Sequence, residues 1–242
     1  MKKGYWKWLT YTLAFLSAPL LILLLGTYLN WFGEYQGPGE ITNSKKVAEF
    51  PVSGESSPKQ ILFGDLHVHT SFSLDALLFN LPISGGEGVH PVADACDYAR
   101  FCSSLDFFAV TDHAEWLTKR EWKDSLGSIQ NCAKISSDLD EPSVVPFLGW
   151  EWTQMGDKKE NHYGHKNIII KGIQDGEVPY RPIATDSHDN FVNNNALVTA
   201  AFAALDFSNR KNYFNWRFKS LVAQGYKDCK EGEHIDGNSD CY

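Results

Sequence analysis

Apolar and polar positions divide this chain into three unequal stretches. Residues 9–29 carry no charge and are dominated by leucine, with Pro19 inside the run. About 20 apolar residues suffice for a helix to cross a bilayer. Lys2, Lys3 and Lys7 precede the run, which places residues 1–8 on the cytoplasmic side. Tyr5, Trp6 and Trp8 before it, and Tyr28 and Trp31 at its end, read as interfacial aromatic belts. Residues 9–29 are therefore expected to be an uncleaved transmembrane signal-anchor. The alternative is a signal peptide, after whose cleavage the protein would be secreted; against it, the run is long and no small-x-small site closes it. In both cases the body is exported, to the periplasm or the outside of the cell. Residues 30–58 are rich in Gly, Pro, Ser and charge without periodicity, and read as a linker. Residues 59–242 form the body.

Within the body the apolar pattern changes period repeatedly. Residues 61–66 read as a strand. Residues 76–89, with Pro82 and Gly85-Gly86, read as a loop lying over a site. A helix starts at His90 and Pro91, with Val92, Ala95, Cys96, Ala99 and Cys102 as its apolar face. Residues 105–111 read as a buried strand that runs into Asp112 and His113. A second helix covers residues 118–136, with Trp122, Leu126, Ile129 and Ala133 as its buried stripe. Residues 144–152 form a third strand, 153–164 a polar loop, and 165–171 a fourth strand. This alternation predicts the α/β class, with right-handed parallel βαβ units. Further on, residues 190–207 contain an apolar helix-like run. Residues 210–224 are amphipathic and basic, and read as a surface helix, with membrane contact as an alternative.

Candidate chemistry collects where the predicted strands end. His67 and His69, spaced i, i+2, point to one side of an extended chain and reach one metal ion or two adjacent ones. Asp75 follows past a loop and could add a carboxylate oxygen. His113 and Glu151 close the second and third strands. Active-site groups gather at such C-terminal strand ends in α/β folds. His165 begins its strand, and reaches the same place if strand four runs antiparallel to strand three. Asp112 either holds a ligand histidine from behind or caps the next helix. His162 either touches substrate or is an ordinary exposed histidine. Trp150 and Trp152 read as core packing.

The chain has 242 residues, 43% of them hydrophobic, enough for a sizeable core. Its net charge of −8 argues against nucleic-acid partners, which need a basic face. A bound cation could still draw a small anionic substrate. Five cysteines fit an exported protein with disulfides. Cys229 and Cys241 bracket a polar, Gly-containing loop and are the expected pair. Cys102 with Cys132 would join the two helices.

Four stretches resemble motifs of the polymerase-and-histidinol-phosphatase (PHP) superfamily. DLHVHT, with Ser73 and Asp75, is similar to its first motif and AVTDH to its second. LGWEWT is similar to the strand whose glutamate bridges two metals, and GHKNIII to the third histidine motif. More narrowly, the wording is similar to exported PHP-like proteins grouped as domain of unknown function 3604. The resemblance implies a distorted (β/α)7 barrel with two or three divalent ions, zinc, manganese or iron. It implies His67, His69, Asp75, His113, Glu151 and His165 as metal ligands, and hydrolysis, usually of phosphoesters, by a metal-bound hydroxide. Hydrolysis of another ester or an amide, or a non-catalytic binding role, are the rival expectations. Asp186-Ser187-His188 has the form of the superfamily's final Asp-x-His but follows the third motif by too few residues, so it reads as a loop pair. Four candidate strands cannot close seven, so an incomplete barrel, the N-terminal part of a longer domain, is expected, and with it an incomplete metal centre.

Overall fold

The computed structural model describes residues 2–44, 61–86, 90–137, 143–154, 158–174, 176–184 and 195–224. Asp186, His188, Cys229 and Cys241 lie outside them. The elements follow in the order α1 (Lys2–Tyr28), β1 (Gly64–Val68), α2 (Leu74–Phe79), α3 (Val92–Asp97), β2 (Phe107–Val110), α4 (Lys119–Ser136), β3 (Val145–Gln154), β4 (Gly164–Ile170), α5 (Ala196–Leu205) and α6 (Arg210–Gln224). They fall into two compact units. One takes in Gln36–Asp189 with Val222–Tyr242, the other Met1–Tyr35 with Asn190–Leu221.

The first unit is built on a four-stranded sheet of order β1-β2-β3-β4. Strands β1, β2 and β3 run parallel, as the alternating pattern predicts, and β4 returns antiparallel to β3. The pairing of β1 with β2 shifts between Asp65 and Val68, where β1 carries an extra residue. Such a bulge bends a strand and re-aims its side chains. β1 and β4 are the two edges of the sheet, yet Asn167 of β4 donates a hydrogen bond to the carbonyl of Leu66 at 3.0 Å. The sheet therefore curls until its edge strands approach.

One face of this sheet is covered by helices. Trp122 of α4 meets Trp150 of β3 edge to face, with ring centroids 5.8 Å apart. Thr118 starts α4 with a capping box: its hydroxyl accepts from the Glu121 amide, and Glu121 accepts from the Thr118 amide. Ile129, Cys132 and Ser136 continue the buried stripe, while Leu126 and Ala133 lie at its margin. α3 packs beside α4, and Cys96 and Cys132 join them in a disulfide.

That bond joins the two helices as a Cys102–Cys132 pair would have done, but through Cys96. α3 runs into a π-helical turn over Tyr98–Cys102, closed by the Ser103 amide on the Tyr98 carbonyl at 2.9 Å. A wider turn rotates everything after it off the α-helical register. Cys102 is thereby exposed, and the buried position falls to Arg100. The Arg100 guanidinium donates to the carbonyls of Thr42 and Ser44 at 3.0 and 2.6 Å, which secures the segment preceding the domain. The segment read as a loop over residues 76–89 also differs. It opens with α2 and a 3-10 turn at Pro82–Ser84, because Leu74, Leu77 and Leu81 find a buried side.

The second unit contains α1, α5 and α6. Trp6–Tyr28 of α1 is long and apolar enough to cross a membrane, which fits an anchor or a signal sequence alike. Thr199, Ala200 and Ala203 are the buried positions of α5, whereas Leu197 and Leu205 are exposed. The pattern of residues 210–224 predicts an amphipathic, basic surface helix. Instead Arg217 and Lys219 are buried, and Arg217 Nε donates to the Thr27 carbonyl in the last turn of α1 at 2.8 Å. A cation there also complements the negative end of the helix dipole.

Replacing Cys96 by Ser should lower stability by about 2–4 kcal/mol, since it frees the loop that the disulfide closes. Urea unfolding of parent and variant without reductant measures it.

Candidate metal centre

Glu151 enters the site because β3 alternates. Leu148 and Trp150 are buried toward the helices, and Gly149, Glu151 and Thr153 face the other way. Gly149 has to be glycine: a Cβ there would collide with the Ile168 carbonyl of β4. Two residues on, the Glu151 carboxylate is 3% exposed. The Glu151 amide bonds to the Asp112 carbonyl at 3.1 Å, and a parallel bridge pairs Glu151 with His113. The β2–β3 pairing thus continues past Val110 and carries His113 to the side of Glu151.

Four imidazoles converge on this carboxylate. His67 Nε2 lies 3.0 Å and His69 Nε2 2.9 Å from Oε2. His113 Nε2 lies 3.5 Å from the same oxygen. His165 Nδ1 contacts the other oxygen, Oε1. Asp75, in the first turn of α2, approaches from the far side: its Oδ2 is 3.3 Å from His113 Nε2 and its Oδ1 is 3.7 Å from His69 Nδ1. Exposure rises outward, from 7% for His113 to 47% for His165 and 53% for His67. The centre is closed at the bottom and open at the top.

Ligand atoms of three overlapping groups lie within 4.8 Å of one another: His67, His69 and Glu151; His69, Asp75 and His113; His113, Glu151 and His165. Donors around one ion with bonds of about 2.0–2.2 Å stand roughly 3–4 Å apart, and the distances above match. The nitrogen and carboxylate donors suit a divalent transition metal. These clusters are able to hold metal ions.

Electrostatics shows the same demand for cations. Burial works against a charged His113, but hydrogen bonds to Asp75 and Glu115 and the charges of Asp75 and Glu151 outweigh it and raise its pKa to about 10. Burial also opposes a charged His69, and Asp75 again prevails and raises it. Burial would raise the pKa of Asp75, yet hydrogen bonds from His113, His69 and Ser73 hold it far below the usual carboxylate range. Glu151 is lowered against its burial, chiefly by the charge of His113 and the hydrogen bond from His67. Without metal, protons on the imidazoles compensate the carboxylates; a metal would displace them.

Every residue expected as a ligand is therefore in the cluster, and β4 brings in His165 by running antiparallel. Asp112 plays a different part from helix capping. Its carboxylate accepts from the amide and hydroxyl of Thr70 at 2.6 and 2.8 Å, which pins the backbone directly after His69. His162 is exposed and belongs to none of the clusters among the described residues. Three neighbours had been given no role. Thr153 Oγ1 sits between His113 Nδ1 and His165 Nδ1, at 2.9 and 3.2 Å. Glu115 accepts from the Thr153 amide at 3.0 Å. Ser73 bonds to His69 and Asp75. Thr153 was findable, since i+2 on a strand shares the face of Glu151.

By fold and site this is a mixed α/β protein carrying a histidine–carboxylate cluster of the metal-binding kind. Residues 56–138 match a family profile described as "Protein of unknown function (DUF3604)". That range includes His67, His69, Asp75 and His113 and ends before Glu151. No curated protein and no solved structure matches the chain.

The raised pKa of His113 sets a sign for pH dependence. A group raised from 6.5 to about 10 on folding stabilises fully below pH 6.5, and that stability is lost as pH rises toward 10. Chelator-treated protein should melt at a higher temperature at pH 6 than at pH 10. Added zinc should release protons on binding and narrow that difference, which thermal circular dichroism and a pH indicator would follow.

Proposed function

We propose that the chain is a membrane-anchored, outward-facing, metal-dependent hydrolase of the PHP type, acting on phosphoesters. The observation that carries this reading is the sharing of ligands. Glu151, His113 and His69 each belong to two of the three overlapping groups, and of these only the carboxylate has two donor atoms that could serve two ions at once. One carboxylate whose Oε2 faces His67 and His69 while Oε1 faces His165 suits a bridge between adjacent ions. An isolated structural site would need no such sharing. The resemblance of four stretches to PHP motifs, in order, supports the same reading, and the family match agrees with its narrower form.

A bound divalent ion supplies Lewis acidity, both to acidify water and to polarise an ester oxygen. The chain's own residues do the rest. His113 and Glu151 form the buried floor, with His69 and Asp75 half-buried beside them. His67 and His165 line the open side, by which water and substrate enter. Thr153 holds the Nδ1 side of His113, and Asp112 holds the loop after His69. The apolar helix α1, with lysines before it, would keep the domain at the outer membrane face.

Hydrolysis of a neutral ester or amide is the second reading. A cavity of about 570 Å³ touches the cluster at His69, and Asp65, Asp94 and Asp97 lie on its walls.

The 242-residue chain in detergent should contain at least one equivalent of divalent metal, and the His67→Ala/His69→Ala variant should lose it. With metal, bis(p-nitrophenyl) phosphate should be hydrolysed, and Glu151→Gln should reduce the rate at least ~100-fold. Turnover of p-nitrophenyl acetate alone would favour the second reading. Folded parent without metal would overturn both.

A further inference from the structure

Ser73 is fully buried at the N-terminal boundary of α2, the position where a serine hydroxyl usually accepts from a first-turn amide. Here it makes no capping bond. The Ala76 amide is taken instead by Asp75 Oδ1 at 2.7 Å. The hydroxyl has been diverted to the metal-type cluster.

A hydroxyl offers one proton and two lone pairs, and at Ser73 all three have a partner. The proton goes to Asp75 Oδ1 at 2.7 Å. The backbone amide of His113 donates to Oγ at 3.2 Å. The third partner is His69 Nδ1 at 2.9 Å. An ionised Asp75 accepts only, so the hydroxyl proton is committed to it. His69 must then be the donor at Nδ1. Its other nitrogen, Nε2, is the one 2.9 Å from Glu151 Oε2. With the proton held at Nδ1, the Nε2 lone pair is left for an ion shared with Glu151.

We propose that Ser73 is a positioning residue of the metal centre: through one oxygen it orients the His69 ring, selects Nε2 as the coordinating nitrogen, and ties that choice to Asp75 and to the backbone of His113. The inference rests on the metal-centre reading above and adds to it which atom of His69 binds and what decides it. A ring nitrogen's role in metal binding is set by the hydrogen bond made by the other nitrogen. Ser73 is also where His69 after β1, the α2 carboxylate of Asp75 and the backbone of His113 after β2 meet. It links three sequence-separated donors through a single side chain.

The test uses the 242-residue chain in detergent, loaded with zinc and labelled with 15N-histidine. In the parent, long-range 1H–15N spectra should show His69 protonated at Nδ1 and ligated through Nε2; the His69→Gln variant identifies its signals. Zinc affinity, measured by competition with a chromogenic chelator, should fall about 10–100-fold in Ser73→Ala. Thermal circular dichroism checks that the variant is folded. Ligation of His69 through Nδ1 in the parent would overturn the proposal without needing any variant. So would a folded Ser73→Ala protein with unchanged affinity and unchanged His69 signals. A parent that binds no zinc would instead overturn the metal centre itself, and this role with it.

Discussion

The buried carboxylate of Glu151 is the constraint on which the rest of the first unit depends. A carboxylate that is 3% exposed must be compensated by cations or strong donors. The chain meets that need with four imidazoles at once: His67 on β1, His69 just beyond it, His113 beyond β2, and His165 on β4. Each must approach within a few ångströms, so the strands cannot slide. The parallel bridge of His113 with Glu151 and the antiparallel register of Thr153 with His165 are the backbone expression of the same requirement. The bulge in β1 and the Asn167 contact with Leu66 belong to it too, since a flat sheet would keep its edge strands apart.

Around this centre, polar side chains are used for orientation more than for local structure. Asp112 holds Thr70, Thr153 separates two histidines, and Ser73 serves three partners. Asp112 and Ser73 are buried and Thr153 is half-buried, and each bond limits the rotation of a ring or a loop beside the carboxylates. Donors held in place in this way could receive a metal ion without rearranging. The opposite face follows an ordinary logic, with Trp122 on Trp150 and a disulfide between α3 and α4 supporting the sheet from behind.

Much of the fold was legible because local period carries it. The helices and strands of residues 61–171 lie near their expected places, and α4 begins at the Thr118 cap that its sequence signals. Where expectation failed, the cause was geometric. A π-helical turn shifts register by a fraction of a turn, which exposes Cys102 and buries Arg100. No apolar pattern announces that, because the pattern presumes an unbroken α-helix. α2 was missed for a related reason. Its six residues are too few for a period to show, and its leucines matter only once a neighbouring surface covers them.

For the site, the sequence by itself determined the candidate donors. Histidine at i, i+2 on a strand, and histidine or glutamate where strands end, are local facts with a geometric meaning. It also determined the apolar N-terminal helix, whose length and lack of charge need no partner to be read. The tertiary structure decided which atoms meet. The antiparallel return of β4, the partner of Cys132, the roles of Thr153 and Glu115, and the three-way use of Ser73 all depend on contacts between residues far apart in the chain. Periodicity reports which way a side chain faces. Only the pairing of strands and the packing of helices decides what it faces.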